Sequence, residues 1–324
     1  MRKMVLAVMV AAMVADVGGA GAQEWPTRPV TMVVPIAAGG ALDVMARILA
    51  SRISVLLGQP VIVENVAGGG GIAGSYRVSK AQPDGYQFMF SSAGFAINQT
   101  LYKKTPYNAA TDFAPVVLVA EGPTVLVARK DLPSGSPTEF IAYAKTHQAK
   151  LQYGSPGTGT NQHLACVLFN AAIGVNVTHI PYRGGAQSMQ DLLAGRIDYS
   201  CNAITTARPQ IEANSVKAVA VLSNNRSPML PNVVSAQELG LAGSAADAWN
   251  AFFLPKGTPA AIIQKLHDAT VAAMDTPSLQ ERLKDIGATV VAPERRSPGY
   301  LQKFVESEIE NWGAVIKAAG LSIE

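Results

Sequence analysis

The sequence predicts an α/β protein of two lobes facing one another across a hinged cleft. Three observations carry the prediction. Strand-like and helix-like runs alternate through the first half of the chain, which implies parallel strands joined by helical crossovers. A second cycle of the same kind begins after Pro115, and the tail from "PAAIIQKLHDATVAAM" onward is helical, as if returning to complete the first lobe. Lobe 1 is therefore expected over residues 23–125 and 248–324, and lobe 2 over 126–247. Two strands would then cross between the halves and act as a hinge.

The first 22 residues are a separate object. "MRK" is a basic start, "MVLAVMVAAMVADVGGA" an apolar run, and Ala20-Gly21-Ala22 an A-x-A cleavage signature. Asp16 and paired glycines interrupt the run short of the ~20 apolar residues a spanning helix needs. A signal peptide over residues 1–22 and export from the cytoplasm are the expectation, with a membrane anchor as the alternative.

"PVTMVVPI" then reads as a strand buried on both faces. After Gly39-Gly40, "ALDVMARILASRISVLLG" is a helix whose apolar stripe runs through Val44, Ile48, Leu49, Ile53, Leu56 and Leu57, stopped by Gly58. "PVIVENV" is a strand, "GIAGSYRVSKA" a helix and "YQFMFSS" a strand. "VVLVAEGPTVLVAR" is two short strands or one long crossing ribbon. The second cycle follows with "TEFIAYAKTH" (helix), "LQYGS" (strand), "NQHLACVLFNAAIG" (helix), "VTHIPY" (strand), "AQSMQDLLAG" (helix), "IDYSCNA" and "VKAVAVLS" (strands). "NNRSPMLPNVVSAQELGLAG" is irregular, and "AWNAFFLP" returns to strand.

Composition narrows the function classes. With 48 % hydrophobic and 15 % charged residues, the 324-residue chain fills a globular core. A formal charge of +3 with no basic cluster excludes a nucleic-acid footprint. Cys166 and Cys201 are the only cysteines. In an oxidising compartment they favour a disulfide, two buried free thiols being the other reading.

Gly69 to Gly74 spell G-x-G-x-x-G, yet a dinucleotide site needs an acid at the end of the following strand, and that strand ends in Ser91-Ser92-Ala93-Gly94. The glycines are expected to serve close packing on the sheet. The loop Ala37, Ala38, Gly39, Gly40 joins the first buried strand to the first helix, where open α/β sheets take ligands. Its amides and the helix dipole suit a small anion. Asp43 in the first helical turn complements that dipole. Thr158, Gly159, Thr160 and Asn161 form a similar helix start in lobe 2, with one of the last two as cap. Tyr182, Arg183 and Gly184 precede another; Arg183 either clamps a carboxylate or sits in solvent. His163 is expected to cap or pack. None of the four histidines has metal-ligand spacing, and no G-x-S-x-G elbow or P-loop occurs. No metal, no cofactor and no enzymatic activity are expected.

Taken together, "RPVTMVVPIAAGGALDVMARILA", "LGQPVIVENVAGGGGIAGSYRVSKAQPDGYQF", "YGSPGTGTNQHLA", "HIPYRGGAQSMQDLLAGRIDY" and "RSPMLPNVVSAQELGL" resemble the substrate-binding receptors of tripartite tricarboxylate transporters, the Bug-type receptors. The resemblance runs in order through nearly all of the chain after residue 22. It implies the type II periplasmic binding-protein fold, two lobes that close on a small carboxylate in the periplasm, with the 35–40 loop reaching one carboxylate. Ser91, Ser92 and Ala93, Thr158 to Asn161, and Tyr182 to Gly184 are expected to complete the cage. It also supports a Cys166–Cys201 bond, and it places Asn202 where relatives often carry an acid, which weighs against an amino-acid ligand. A monomeric receptor delivering its ligand to membrane permease subunits is implied. A receptor presenting its ligand to a membrane sensor kinase is the alternative.

Overall fold

The computed structural model describes residues 25–318 and 320–322, so the leader expected over 1–22 lies outside the described residues. Two sheets divide the chain. The first contains β1 (Val30–Val34), β2 (Val61–Asn65), β3 (Gln87–Ser92), β4 (Phe113–Gly122), β10 (Ala248–Pro255) and β11 (Thr289–Val290), in the order β11-β4-β10-β3-β1-β2. The second contains β5 (Thr124–Arg129), β6 (Gln152–Ser155), β7 (Thr178–Pro181), β8 (Tyr199–Ala203) and β9 (Val216–Val221), in the order β7-β6-β8-β5-β9. The ten helices among the described residues are α1 (Ala41–Leu57), α2 (Ile72–Ser79), α3 (Gly94–Leu101), α4 (Pro137–His147), α5 (Asn161–Ile173), α6 (Gly185–Leu193), α7 (Ile204–Glu212), α8 (Ala260–Met274), α9 (Pro277–Asp285) and α10 (Pro298–Ala318).

β1 pairs parallel with β2 and β3, and β6 parallel with β7 and β8, as helical crossovers demand. The connecting strands differ from a purely parallel expectation. β10 runs antiparallel to both β3 and β4, and β5 antiparallel to both β8 and β9. These strands carry the chain from one lobe to the other, so they enter each sheet from the cleft side. The run from Phe113 to Arg129 is thus two strands, one per sheet, broken at Pro123. A proline cannot donate to a ladder, which places the break between the sheets.

The first lobe's core is aromatic. Phe252 meets Phe88 and Phe90 edge-on, each at 5.0 Å between centroids, and Phe95 packs on Phe253 at 4.7 Å. Burying each such ring contributes about 2–3 kcal/mol, and edge-on pairing about 0.5–1.5 kcal/mol more. α1 buries Met45, Ile48, Leu49, Ile53 and Leu57, whereas Val44 and Leu56 sit at the solvent edge of the stripe. Gly58 ends the helix in the left-handed conformation, φ 70°.

Two helices have little sequence signal. α3 follows β3 with no side-chain cap, and α7 carries Pro209 inside it. Cys166 on α5 and Cys201 on β8 form a disulfide, with Cα atoms 5.7 Å apart and 35 residues between them in sequence. A loop of that size restrains the unfolded chain by about 4 kcal/mol in the chain-entropy picture. No helix among the described residues is long and apolar enough to cross a membrane.

Candidate functional site

Parallel strands bring their C-terminal ends to one edge of each sheet, and here the two edges face one another. The loops leaving β1, β3, β6, β7 and β8 therefore meet across a single gap. A cavity of about 60 Å³ lies at its centre. Four helix starts reach it: Ala41 and Leu42 of α1 from the first lobe, Gln162 of α5, Gly185 of α6, and Thr205 and Thr206 of α7 from the second. Gly40, Gly184 and Ala203 precede α1, α6 and α7 without a side-chain cap, which leaves first-turn amides for an external acceptor, except that of Ile204, which donates to the Pro123 carbonyl at 3.1 Å. The floor is the crossing, Gly122-Pro123, and Ile36 and Met45 supply an apolar wall.

Among the described residues, the only ionisable one in the lining is Glu121, which Arg295 holds with both guanidinium arms. No cation lines the cavity. An anion placed here is met by helix dipoles and amides, not by a charged partner. Among the described residues, no three His, Cys, Asp or Glu side chains could share a metal ion.

The residues singled out in the sequence fall into three groups. Ser92, Thr160 and Asn202 line the cavity. A second group makes the seam on which the lobes close. The Ala37 amide donates to the Arg183 carbonyl at 3.1 Å, and Gly184 lies against Ala37. Thr158 and Gly159 touch Gly70, so that a Cβ at Gly70 would lie 1.9 Å from the Thr158 oxygen. Gly39 spends its amide on Asp43 Oδ2 at 2.9 Å and is exposed together with Ala38, and neither residue lines the cavity.

The third group supports the walls. Asp43 also accepts from Arg47 and Asn65. Burial opposes its charge, but those donors and the Gly39 amide hold its carboxyl below the usual range. A carboxylate with its oxygens engaged by the Gly39 amide, Arg47 and Asn65 anchors the α1 start. Asn161 turns away from the cavity; its Nδ2 donates to Thr124 Oγ1 and to the Ala246 carbonyl, at 3.1 and 3.0 Å. Thr160 caps α5 through the His163 amide. Tyr182 donates its hydroxyl to Asp191, the Arg183 side chain is exposed outside the cavity lining, and Ser91 and Ala93 are buried in the first lobe. The G-x-G-x-x-G segment both packs on the sheet, a Cβ at Gly74 meeting Pro35 at 2.7 Å, and forms the seam through Gly70.

Behind the α5 start, His163 stacks on His179 at 4.2 Å between centroids. His163 Nδ1 accepts from the Gly159 amide at 3.3 Å, and His179 Nε2 bonds Ser155 Oγ at 2.7 Å. Burial, and for His163 also its neighbour, pushes His163 down to about 3; burial pushes His179 down to about 4. Both rings stay neutral in the fold while the unfolded chain takes protons below about pH 6.5. Stability is therefore full above that pH and falls as pH drops toward 4 and then 3. The loss is about 1.4 kcal/mol per pH unit for each ring. Denaturant midpoints are expected to fall steeply between pH 6 and 5, and a His179→Gln variant to fall less steeply. A flat profile over that interval would contradict neutral burial.

Sequence reasoning missed Gly185, Thr205, Thr206 and Asn250. Gly185 was half-signalled by the Gly-Gly pair before α6. Asn250 is a lone amide in the apolar run "AWNAFFLP", and it is paired in register with Ser92. α7 gave no usable sign.

A family model, the tripartite tricarboxylate transporter family receptor, matches residues 45–321. The periplasmic binding protein BugD superposes with a TM-score of 0.90 at 38 % identity, covering 93 % of this chain and all of its own. MatC from Rhodopseudomonas palustris, solved with bound malate, superposes at 0.87 with 37 % identity, covering 90 % of this chain and all of its own. A further R. palustris protein, solved with adipate, reaches 0.87 at 34 % identity, covering 92 % and 99 %.

Proposed function

The chain belongs to the tripartite tricarboxylate transporter receptor family, and from that premise we propose that it is a periplasmic receptor that captures one small carboxylate and hands it to the membrane permease subunits of such a transporter. The family's members are binding proteins and not enzymes. The observation that carries the reading is the meeting of four helix starts, from both lobes, on one cavity lined by no cation. The malate and adipate of the two neighbours fit the same ligand class.

The carboxylate rests on the amides of α1, α6 and α7, with Ser92, Thr160, Asn202 and Asn250 offering polar atoms around it. Its amide bonds reach across the gap, so they form in full only when the lobes meet. That differential affinity shifts the population toward the closed form. The protein acts as a monomer, and its closed surface is what the permease recognises.

The test is a thermal-shift screen of the chain from Gln23 onward against aliphatic and aromatic mono-, di- and tricarboxylates. A ligand at 100 times its Kd adds about 2.7 kcal/mol of stability. Scattering on the responding acid should report a smaller radius of gyration. Cells lacking the permease subunits should fail to take that acid up. A screen in which no carboxylate raises the melting temperature would refute the reading.

A further inference from the structure

Asn202 is the last residue but one of β8, is fully buried, and lines the cavity. Its Oδ1 has no hydrogen-bond partner among the described residues. A Cβ built on Gly185, at the α6 start, would stand 3.5 Å from that oxygen, so the atom faces the gap where the helix starts meet. Thr205 Oγ1, in the first turn of α7, is likewise buried without a partner. A buried acceptor left unpaired is costly, and its usual explanation is a partner that arrives from outside the fold.

Which end of the Asn202 amide faces the cavity follows from its other neighbour. Ser200 Oγ donates its single proton to the Gly154 carbonyl at 3.0 Å. It can then only accept, and it accepts from Asn202 Nδ2 at 2.9 Å and from Ser188 Oγ at 2.8 Å. Turning the amide over would set an oxygen against an oxygen with no proton left. The relay therefore holds Oδ1, an acceptor, toward the cavity.

A carboxylate oxygen cannot face Oδ1, because both carry only lone pairs. The matching ligand group is a donor. An ammonium would donate too, but its charge would be buried against a neutral amide, in a cavity whose one acid, Glu121, is already paired with Arg295. A hydroxyl brings the proton without the charge. We infer that Asn202, oriented by Ser200, selects acids that carry a hydroxyl over their unsubstituted and amino counterparts. The inference rests on the carboxylate-receptor reading and names the ligand class within it.

Titration calorimetry on the chain from Gln23 onward, with matched sets, tests it: malate, succinate and aspartate; 2-hydroxyglutarate, glutarate and glutamate; citrate and tricarballylate. Within any set that binds, the hydroxy acid is expected to bind at least tenfold more tightly than the other members. Ser200→Ala releases the amide to turn, so the hydroxy-to-unsubstituted ratio should fall toward one while the unsubstituted acid keeps its affinity within a few-fold. Asn202→Ala should abolish the ratio as well, with circular dichroism melts verifying that each variant folds. If the unsubstituted or amino acid binds as tightly as the hydroxy acid, or if both variants keep the ratio, the inference falls and the receptor reading stands. If no acid of any kind binds, both fall together.

Discussion

Gly70→Ala is expected to fold normally and to lose ligand affinity by at least a hundredfold. The new Cβ would stand 1.9 Å from the Thr158 carbonyl oxygen and 2.9 Å from its carbon, and backbone atoms cannot step aside as a side-chain tip can. Thr158 belongs to the second sheet's lobe and Gly70 to the first, so opening the cleft relieves the clash. The fold of each half is barely touched; φ of +59° at Gly70 costs an alanine only about 1–2 kcal/mol. The burden falls on the closed state. A hundredfold loss corresponds to about 2.7 kcal/mol, and apparent affinity scales with the fraction of molecules able to close. Calorimetry reads the affinity, and scattering at saturating ligand should show the variant still extended. Closure as complete as that of the unaltered protein would show that the seam at Gly70 does not govern the motion.

Gly185→Ala should separate binding from folding in the opposite way. Its Cβ would meet Asn202 Oδ1 at 3.5 Å, Thr206 Oγ1 at 3.6 Å and Pro156 Cγ at 3.7 Å, all ordinary contact distances. Gly185 opens α6, where alanine is the better helix former by about 0.5–1 kcal/mol. The ligand-free protein is expected to melt at the same temperature or slightly higher. The methyl group nevertheless projects among the polar atoms proposed to meet the ligand, in a cavity of only about 60 Å³. Binding should drop by two orders of magnitude or vanish. An unchanged Kd would remove the α6 start from the site.

The two lobes, the loops that meet between them and the anion logic of helix starts could be read from periodicity and glycine placement. Those features are local: a strand, a Gly-Gly turn and a helix lie within twenty residues of one another, as from Val30 to Ala50. Membership of the cavity is not local. Asn250 comes from a strand some 160 residues after Ser92, its partner in register, and nothing nearby in sequence says that it faces inward. Gly39 reads as an anion-binding amide until the side chain of Asp43 is seen to occupy it. Asn161 reads as a ligand residue because it opens a helix, yet burial among Thr124 and Ala246 gives it other work. The Gly70 seam is the plainest case. Four glycines in a row announce that something comes close, and only the closed structure says that the visitor is the other lobe.

Asn161 stands at a mechanical junction. One amide nitrogen grips the outbound crossing at Thr124 and the inbound crossing at Ala246, while the next residue, Gln162, looks onto the cavity. Pivot and palm thus share one rigid rod. Any swing about the axle drags Gln162 with it, so this jaw cannot tilt without reshaping the wall of its own cavity.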